Sequence, residues 1–226
     1  MIDQIIIGDK ASFDDFEASL AKRTRKPPKK KEIKETVPFS NITHDFTAIN
    51  GEIYWEEAEH EYVFEMCAPT PELLEEMKTA FSGWVMNVIK EELHDPIIPD
   101  YHYIVTYDDM SFADEEGIDK TTATVKFSAY PYKIANCPKV EEFNIPAYET
   151  VERVFLNNSS HRITPKITTD KPINILLNGK KYSMNAGTAE DEAIKLKVGH
   201  NRISIWTISS MFGDCNVSIS FNEEVF

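Results

Sequence analysis

Hydrophobic and polar residues alternate along most of this chain, the period-two signature of strands that bury one face. The alternation is clearest over residues 59–67, where Tyr62, Phe64 and Met66 fall on one side. It recurs over 121–130, where Val125, Phe127 and Ala129 do the same. Residues 101–107 read as a further strand. Phe16, Ala18 and Leu20 predict another, and the apolar run 2–7, closed by the turn pair Gly8-Asp9, predicts a short one. Asn50-Gly51 separates 45–49 from 52–55 and predicts a hairpin, because a type I′ turn needs positive φ at both central positions.

One segment has a different period. Thr70 suits a helix N-cap and Pro71 the first helical position. Glu72, Glu75 and Glu76 suit the positive end of the helix dipole. Leu73, Met77, Phe81, Trp84, Val88 and Ile89 then recur at three- and four-residue spacing. That pattern predicts about five turns of helix with one apolar stripe against a sheet, ended by Asp95-Pro96.

Beyond Tyr130-Pro131-Tyr132 the pattern changes. Pro138 and Pro146 bracket a linker or a first short strand. Short strands follow over 151–156, 162–168, 173–177, 180–184, 193–198, 202–207 and 217–221. Turn signals lie between them, among them a second Asn-Gly pair, Asn178-Gly179. Many short strands without a helical period predict a β-sandwich. The chain is therefore expected to hold two domains, 1–136 and 137–226, both mainly β.

The charge distribution supports that division. The formal charge is −14. Residues 1–136 hold 14 Lys+Arg against 27 Asp+Glu, whereas residues 137–226 hold 10 against 11. Eight of the basic residues crowd into 22–34, with Glu32 the single acid among them. A surface this acidic repels nucleic acid, whose binding depends on neutralising phosphates. Pro27-Pro28 block helix and introduce a charged, extended arm over 29–37. Lysines there act as a solvated edge that discourages aggregation, or dock on the acidic surface of another copy. On the second reading Lys29, Lys30, Lys31 and Lys34 are the inter-subunit contacts.

Motifs that carry chemistry are missing. There is no glycine-rich phosphate loop, no GxSxG and no HExxH. Cys67, Cys137 and Cys215 lie far apart, form no CxxC, and read as buried or half-buried free thiols in a reducing cytoplasm. His60 beside Glu61 and His94 beside Asp95 lack ligand spacing, so no metal site is predicted. Pairs such as Asp14-Asp15 and Asp108-Asp109 belong to a solvated face. Trp206 reads as sandwich core, with a sugar platform as the alternative. No basic leader precedes the first strand, and no apolar stretch approaches the ~18 residues of a membrane span. Neither catalysis, cofactor nor membrane is expected.

Several stretches, taken in order, resemble a known family. They are IIIG (Ile5 to Gly8), SFDDF (Ser12 to Phe16), PPKKKEIK (Pro27 to Lys34) and INGEIYWEE (Ile49 to Glu57). They continue with TAFSGWVM (Thr79 to Met86), FSAYPYK (Phe127 to Lys133), NNSSHRITPKI (Asn157 to Ile167) and VGHNRISI (Val198 to Ile205). Together they resemble the distal tail proteins of long, non-contractile-tailed phages and prophages of Gram-positive hosts. The resemblance implies an N-terminal tail-tube-like β domain with one helix and a C-terminal galectin-like β-sandwich. It implies a structural, non-enzymatic protein: a homo-hexameric ring at the virion tail tip, made in the host cytoplasm. Its implied partners are the tail tube protein, a tail-associated tip protein and, at the periphery, a receptor-binding protein. DNA passes through such a ring without being bound. The alternative function is a carbohydrate-binding adaptor that recognises wall polysaccharide through the C-terminal sandwich.

Overall fold

The strand-period segments of the first half pair into one antiparallel sheet built around the most apolar of them. The computed structural model describes residues 3–36, 39, 41, 43–48, 51–115, 120–208 and 213–226. The chain separates into two units, residues 1–133 with Phe226, and residues 134–225.

The first unit contains β1 (Ile6–Ile7), β2 (Lys10–Ala11), β3 (Ser19–Arg25), β4 (Lys34–Thr36), β5 (Thr43–Asp45) and β6 (Ala58–Cys67). Helix α1 (Pro71–Val85), β7 (Glu91–His94), β8 (Tyr101–Asp114) and β9 (Lys120–Ala129) follow. The sheet runs β2-β1-β7-β8-β9-β6-β3, and β4 pairs with β5 apart from it. In β6 the expected face is realised: Tyr62, Phe64 and Met66 are buried. They lie opposite Val125, Ala123 and Thr121 of β9. Helix α1 lays Leu74, Phe81 and Val85 into the same core. The Phe81 ring meets Phe64 at 5.2 Å and Phe16 at 6.1 Å.

The helix starts as the sequence indicates and stops earlier. Thr70 caps it by accepting a hydrogen bond from the Leu73 N–H at 3.3 Å, and Pro71 opens it. It ends at Val85, not near Asp95. The Asn87 side-chain amide donates to the Gly83 carbonyl at 2.6 Å, satisfying one of the orphan acceptors of the last turn. Lys90 then takes a positive φ of 54°, and Glu91–His94 becomes a strand bonded to β1 on one side and β8 on the other. Two ladders outweigh continuation of an isolated apolar period. The stripe is rotated accordingly: Leu74 faces the core, while Leu73 and Ile89 are exposed.

The second unit follows with β10 (Lys133–Ala135), β11 (Lys139–Ile145), β12 (Thr150–Asn157), β13 (Lys166–Thr169) and β14 (Ile173–Leu177). It continues through β15 (Lys180–Met184), β16 (Gly187–Glu190), β17 (Gly199–Thr207), β18 (Cys215–Phe221) and β19 (Glu224–Val225). Two four-stranded sheets, β11-β18-β13-β16 and β12-β17-β14-β15, enclose one core. Strands β10 and β19 pair with each other. Asn178-Gly179 makes the expected two-residue hairpin, with φ of +48° and +88° between the paired residues Leu177 and Lys180. The segment 193–198 is not a strand; Ile194 and Leu196 reach the core from a turn and a single bridge to Ile163.

Two further sequence expectations fail in detail. Cys67 and Cys137 are exposed thiols, and only Cys215 is buried. Cys67 lies on the outward face of β6, which its place in the alternation already requires. The Gly51 N–H donates to the Ala48 carbonyl at 2.9 Å. The described residues on either side pair with the limb 30–36 and not with one another. Ile49 and Asn50 lie outside the described residues, as do Ile2 and Val37, the ends of two segments read from the sequence.

Candidate functional site

Strand β3 leaves the sheet at a pair of prolines. The Lys26 N–H still bonds the Glu59 carbonyl at 3.0 Å. Pro27 and Pro28 have no N–H to continue the ladder. The chain therefore runs out as a two-limbed arm and returns to β6. The Glu56 N–H donates to the Lys29 carbonyl at 2.8 Å and the Lys31 N–H to the Tyr54 carbonyl at 2.9 Å. Lys30 bridges Trp55, and β4 and β5 pair farther out. Lys29, Lys30 and Lys31 are exposed on this arm. Lys34 is different: its Nζ bonds Glu32 at 2.7 Å, so it is partnered within its own limb. The structure thus brings the four lysines together on one arm and leaves three available to a partner. Ile33, Ile53 and Tyr54 are exposed between them.

A buried ion cluster clamps the base of the arm. The Asp95 side chain has no exposed surface. Arg23 Nε donates to Asp95 Oδ2 at 2.8 Å, and Arg25 bonds the same oxygen. Arg23 also bonds Asp3, and Lys26 bonds Glu59 at 2.6 Å. Asp95 Oδ1 accepts the Ile97 N–H at 3.1 Å, which turns the chain toward β8. A buried carboxylate persists only where cations and donors replace its water. Hydrogen bonding to Arg23 holds the Asp3 carboxyl below its usual range. The Arg25 guanidinium lies over Tyr103 at 5.2 Å and Tyr62 at 5.9 Å. Burial pushes the Tyr62 hydroxyl up to about 12.

Beside the clamp is a cavity of ≈ 330 Å³ walled by Pro27, Pro131, Trp55, Tyr103 and Phe226, with His60 among its lining. His60 is 3% exposed and its Nδ1 has no hydrogen-bond partner. Burial, then the nearby charge of Arg25, lowers its pKa to about 4, so it is neutral at physiological pH.

The remaining candidates gather less. The His94 and His102 rings lie with centres 5.3 Å apart and planes inclined at 43°, and His94 Nε2 lies 3.3 Å from Glu92. Among the described residues no group of three or more His, Cys, Asp or Glu could hold a metal ion. No described helix is long and apolar enough to cross a membrane. Trp206 corrects the sequence reading. It is half-buried on the outward face of β17, between Thr150 and Asn174, with Lys181 Nζ 5.4 Å from its ring. Its neighbours Ile205 and Thr207 take the core positions. Sequence reasoning missed the clamp and the cavity. Arg23 and Asp95 are 72 residues apart, and only the meeting of β3 with the turn after β7 joins them.

No protein-family model matches the chain, and no curated protein shows a significant match. Among solved structures the chain is similar to the SPP1 Dit (gp 19.1) protein, described as a paradigm of the hub adsorption apparatus in phages that infect Gram-positive bacteria. The TM-score is 0.68 at 11% identity, covering 100% of both chains. A weaker likeness joins it to a chain of the phage P2 baseplate in its activated, calcium-bound conformation. There the TM-score is 0.41 at 9% identity, over 97% of this chain and 98% of that one. The first likeness establishes a shared β-rich fold over the full length.

Proposed function

We propose that this protein is a structural hub subunit of a phage tail tip, assembling as a six-membered ring. The ring joins the tail tube protein on one side to a tail-associated tip protein on the other, with a receptor-binding protein at its periphery. The observation that carries the reading is the end-to-end match in fold with a phage hub protein, both chains covered completely at TM-score 0.68. The arm supports it. Three exposed lysines and three exposed apolar residues stand on a rigidly based extension of an otherwise acidic chain, a surface suited to an acidic neighbour. On this reading the first domain, 1–136, forms the ring, and the second, 137–226, takes no part in closing it.

Electrostatics then sets the conditions of assembly. Six copies at −14 each carry −84. Repulsion opposes closure and lengthens its reach as salt is removed, while close contacts at the arm are screened less. The same acidity lets DNA pass the ring without being held. Negative-stain electron microscopy of the purified full-length protein from low to moderate salt tests this directly. Rings are expected, more abundant at moderate salt. A monomer at all salts and high concentration removes the ring.

A second reading is favoured by Trp206. Its outward placement beside Lys181 gives a carbohydrate-binding adaptor a defined platform on the C-terminal sandwich. Saturable binding in a glycan array, abolished by Trp206→Ala, supports this reading; no binding to wall sugars removes it.

A further inference from the structure

The outward face of strands β11, β18 and β13 carries an open groove of ≈ 540 Å³. Register decides what floors it. Along β18, Cys215, Val217 and Ile219 turn into the core, so Asn216 and Ser218 face outward. Glu142 of β11 and Thr168 of β13 lie opposite Ser218, and Asn144 lies opposite Asn216. Asp170, one residue past β13, completes the second row. Its Oδ1 accepts the Asn216 N–H at 2.9 Å and its Oδ2 the Asn216 side-chain amide at 3.1 Å. Short side chains in two successive rows leave the depression above them.

The floor is ordered before any ligand arrives. The Asn144 amide donates to Asn216 Oδ1 at 3.1 Å, and the Thr168 and Thr188 hydroxyls meet at 2.9 Å. A primary amide has two N–H donors, so each asparagine keeps one for a ligand. Groups already fixed lose little freedom on binding. Amide donors beside carboxylate and hydroxyl acceptors match vicinal hydroxyls, because each hydroxyl both donates and accepts. Among the described residues the lining includes two carboxylates and no cation, which disfavours phosphate and sulfate. Its two apolar members, Phe143 and Val217, belong to the core beneath and offer no pocket for a peptide anchor.

An aromatic stands at the end of the same strands. Tyr148, in the turn after β11, is 80% exposed and sits at φ +67°. Asp214 Oδ1 accepts the Ala147 N–H at 3.0 Å, which ties this turn to the residues entering β18. A positive φ strains a tyrosine, and backbone strain of this kind gathers where ligands are held.

We propose that the groove binds a neutral, polyhydroxylated sugar, its vicinal hydroxyls meeting Glu142, Asn144 and Asn216 and the C–H face of its ring lying on Tyr148. The site rests on the carbohydrate-adaptor reading for its role but lies on the opposite sheet from Trp206. The ring does not depend on it.

The test screens full-length protein on an array of neutral hexose and N-acetylhexosamine oligosaccharides, with glycerol-phosphate oligomers as the anionic arm. The strongest neutral hit is then titrated by calorimetry. The double variant Glu142→Ala, Asn144→Ala changes two exposed side chains and should melt with wild type. It should weaken binding at least ten-fold, the scale of losing a hydrogen bond to a charged acceptor. Tyr148→Gly should weaken it about five-fold and melt no lower than wild type, since glycine relieves the positive φ. Affinity for the neutral hit should not change with salt. Binding kept by the double variant and lost in Trp206→Ala would put the sugar on the other sheet, overturning this site while the adaptor reading stands. Stronger binding of the glycerol-phosphate oligomers than of any neutral sugar would also overturn it. No binding of wild type to any neutral sugar removes the site and the adaptor reading together.

Discussion

The two units bury their polar groups by different means. Beside the neutral Ser12, Thr47 and Thr121, the first unit buries ionisable side chains, among them Asp95 beneath two arginines, Lys78 between Asp114 at 2.6 Å and Glu75 at 2.7 Å, and the imidazole of His60. In the second the buried polar groups are neutral. Asn157 donates to the carbonyls of Leu196 and His161 and accepts the Ser159 N–H. Asn201 accepts from the Lys197 N–H at 2.9 Å and from the Asn178 amide at 2.8 Å. Charged pairs specify which distant segments meet, but their worth depends on pH. Amides tie turns to strands and are indifferent to pH. The unit with the basic arm is thus the pH-sensitive one, and the sandwich is the inert one.

The strongest way to break this comparison is to remove a support of each kind from the first unit. Phe81→Ala should cost about 3–5 kcal/mol, the range for a large aromatic deleted from a core. Asp95→Ala should cost somewhat less than the ~3–5 kcal/mol of a fully buried broken pair, because the arginines it leaves are 18% and 22% exposed. Both should lower the denaturant midpoint reported by Trp55 and Trp84 and leave that of Trp206 unmoved. A matching fall in the Trp206 transition would mean that the units do not unfold separately.

The pH dependence sharpens it. His60 stays neutral in the fold down to about pH 4, whereas the unfolded imidazole takes its proton near 6.5. Between those values the unfolded state binds more protons, so the first unit loses stability as pH falls through the window. The full loss is about 3 kcal/mol, from 1.36 kcal/mol per pH unit. His60→Phe should flatten that slope. The second unit should stay level there. Burial would raise the Asp170 carboxyl, but hydrogen bonds from Cys215 and Asn216 bring it below its usual value, so it titrates beneath the window. Urea titrations at pH 7 and pH 4.5 check both statements.

Smaller effects lie in the sandwich. Asn157→Ala strands buried carbonyls and an N–H, and should cost about 1–3 kcal/mol regardless of pH and salt. Gly179→Ala meets no atom within 4 Å, so its cost is backbone strain alone, about 1 kcal/mol. A Gly179→Ala loss several times larger would mean that the hairpin is coupled to something beyond its own turn.

What the sequence revealed follows the range of the interactions concerned. The β6 face, the Thr70 cap and the Asn178-Gly179 hairpin were legible because each is decided within a few residues. The end of α1 was not. Residues 86–94 keep an apolar spacing and contain no Gly or Pro, and the break is imposed by the pairing of Glu91–His94 with two other strands. Asn87 is the one local sign of it. Trp206 was misplaced because its aromatic character was weighed above the alternation, which puts it on the same face as Arg202 and opposite Ile203 and Ile205. The arm lysines were legible as a charge block. The Arg23–Asp95–Arg25 clamp and the His60 cavity were not, since both arise only where distant strands come together.

The central claim, that the arm joins subunits into a ring, is tested most directly by charge reversal. Native mass spectrometry of full-length wild type and of the triple variant Lys29→Glu, Lys30→Glu, Lys31→Glu, at one concentration and moderate salt, gives the answer. The account expects hexamers from wild type and monomers from the variant, with the two melting at the same temperature. A variant that forms hexamers as readily as wild type would contradict it.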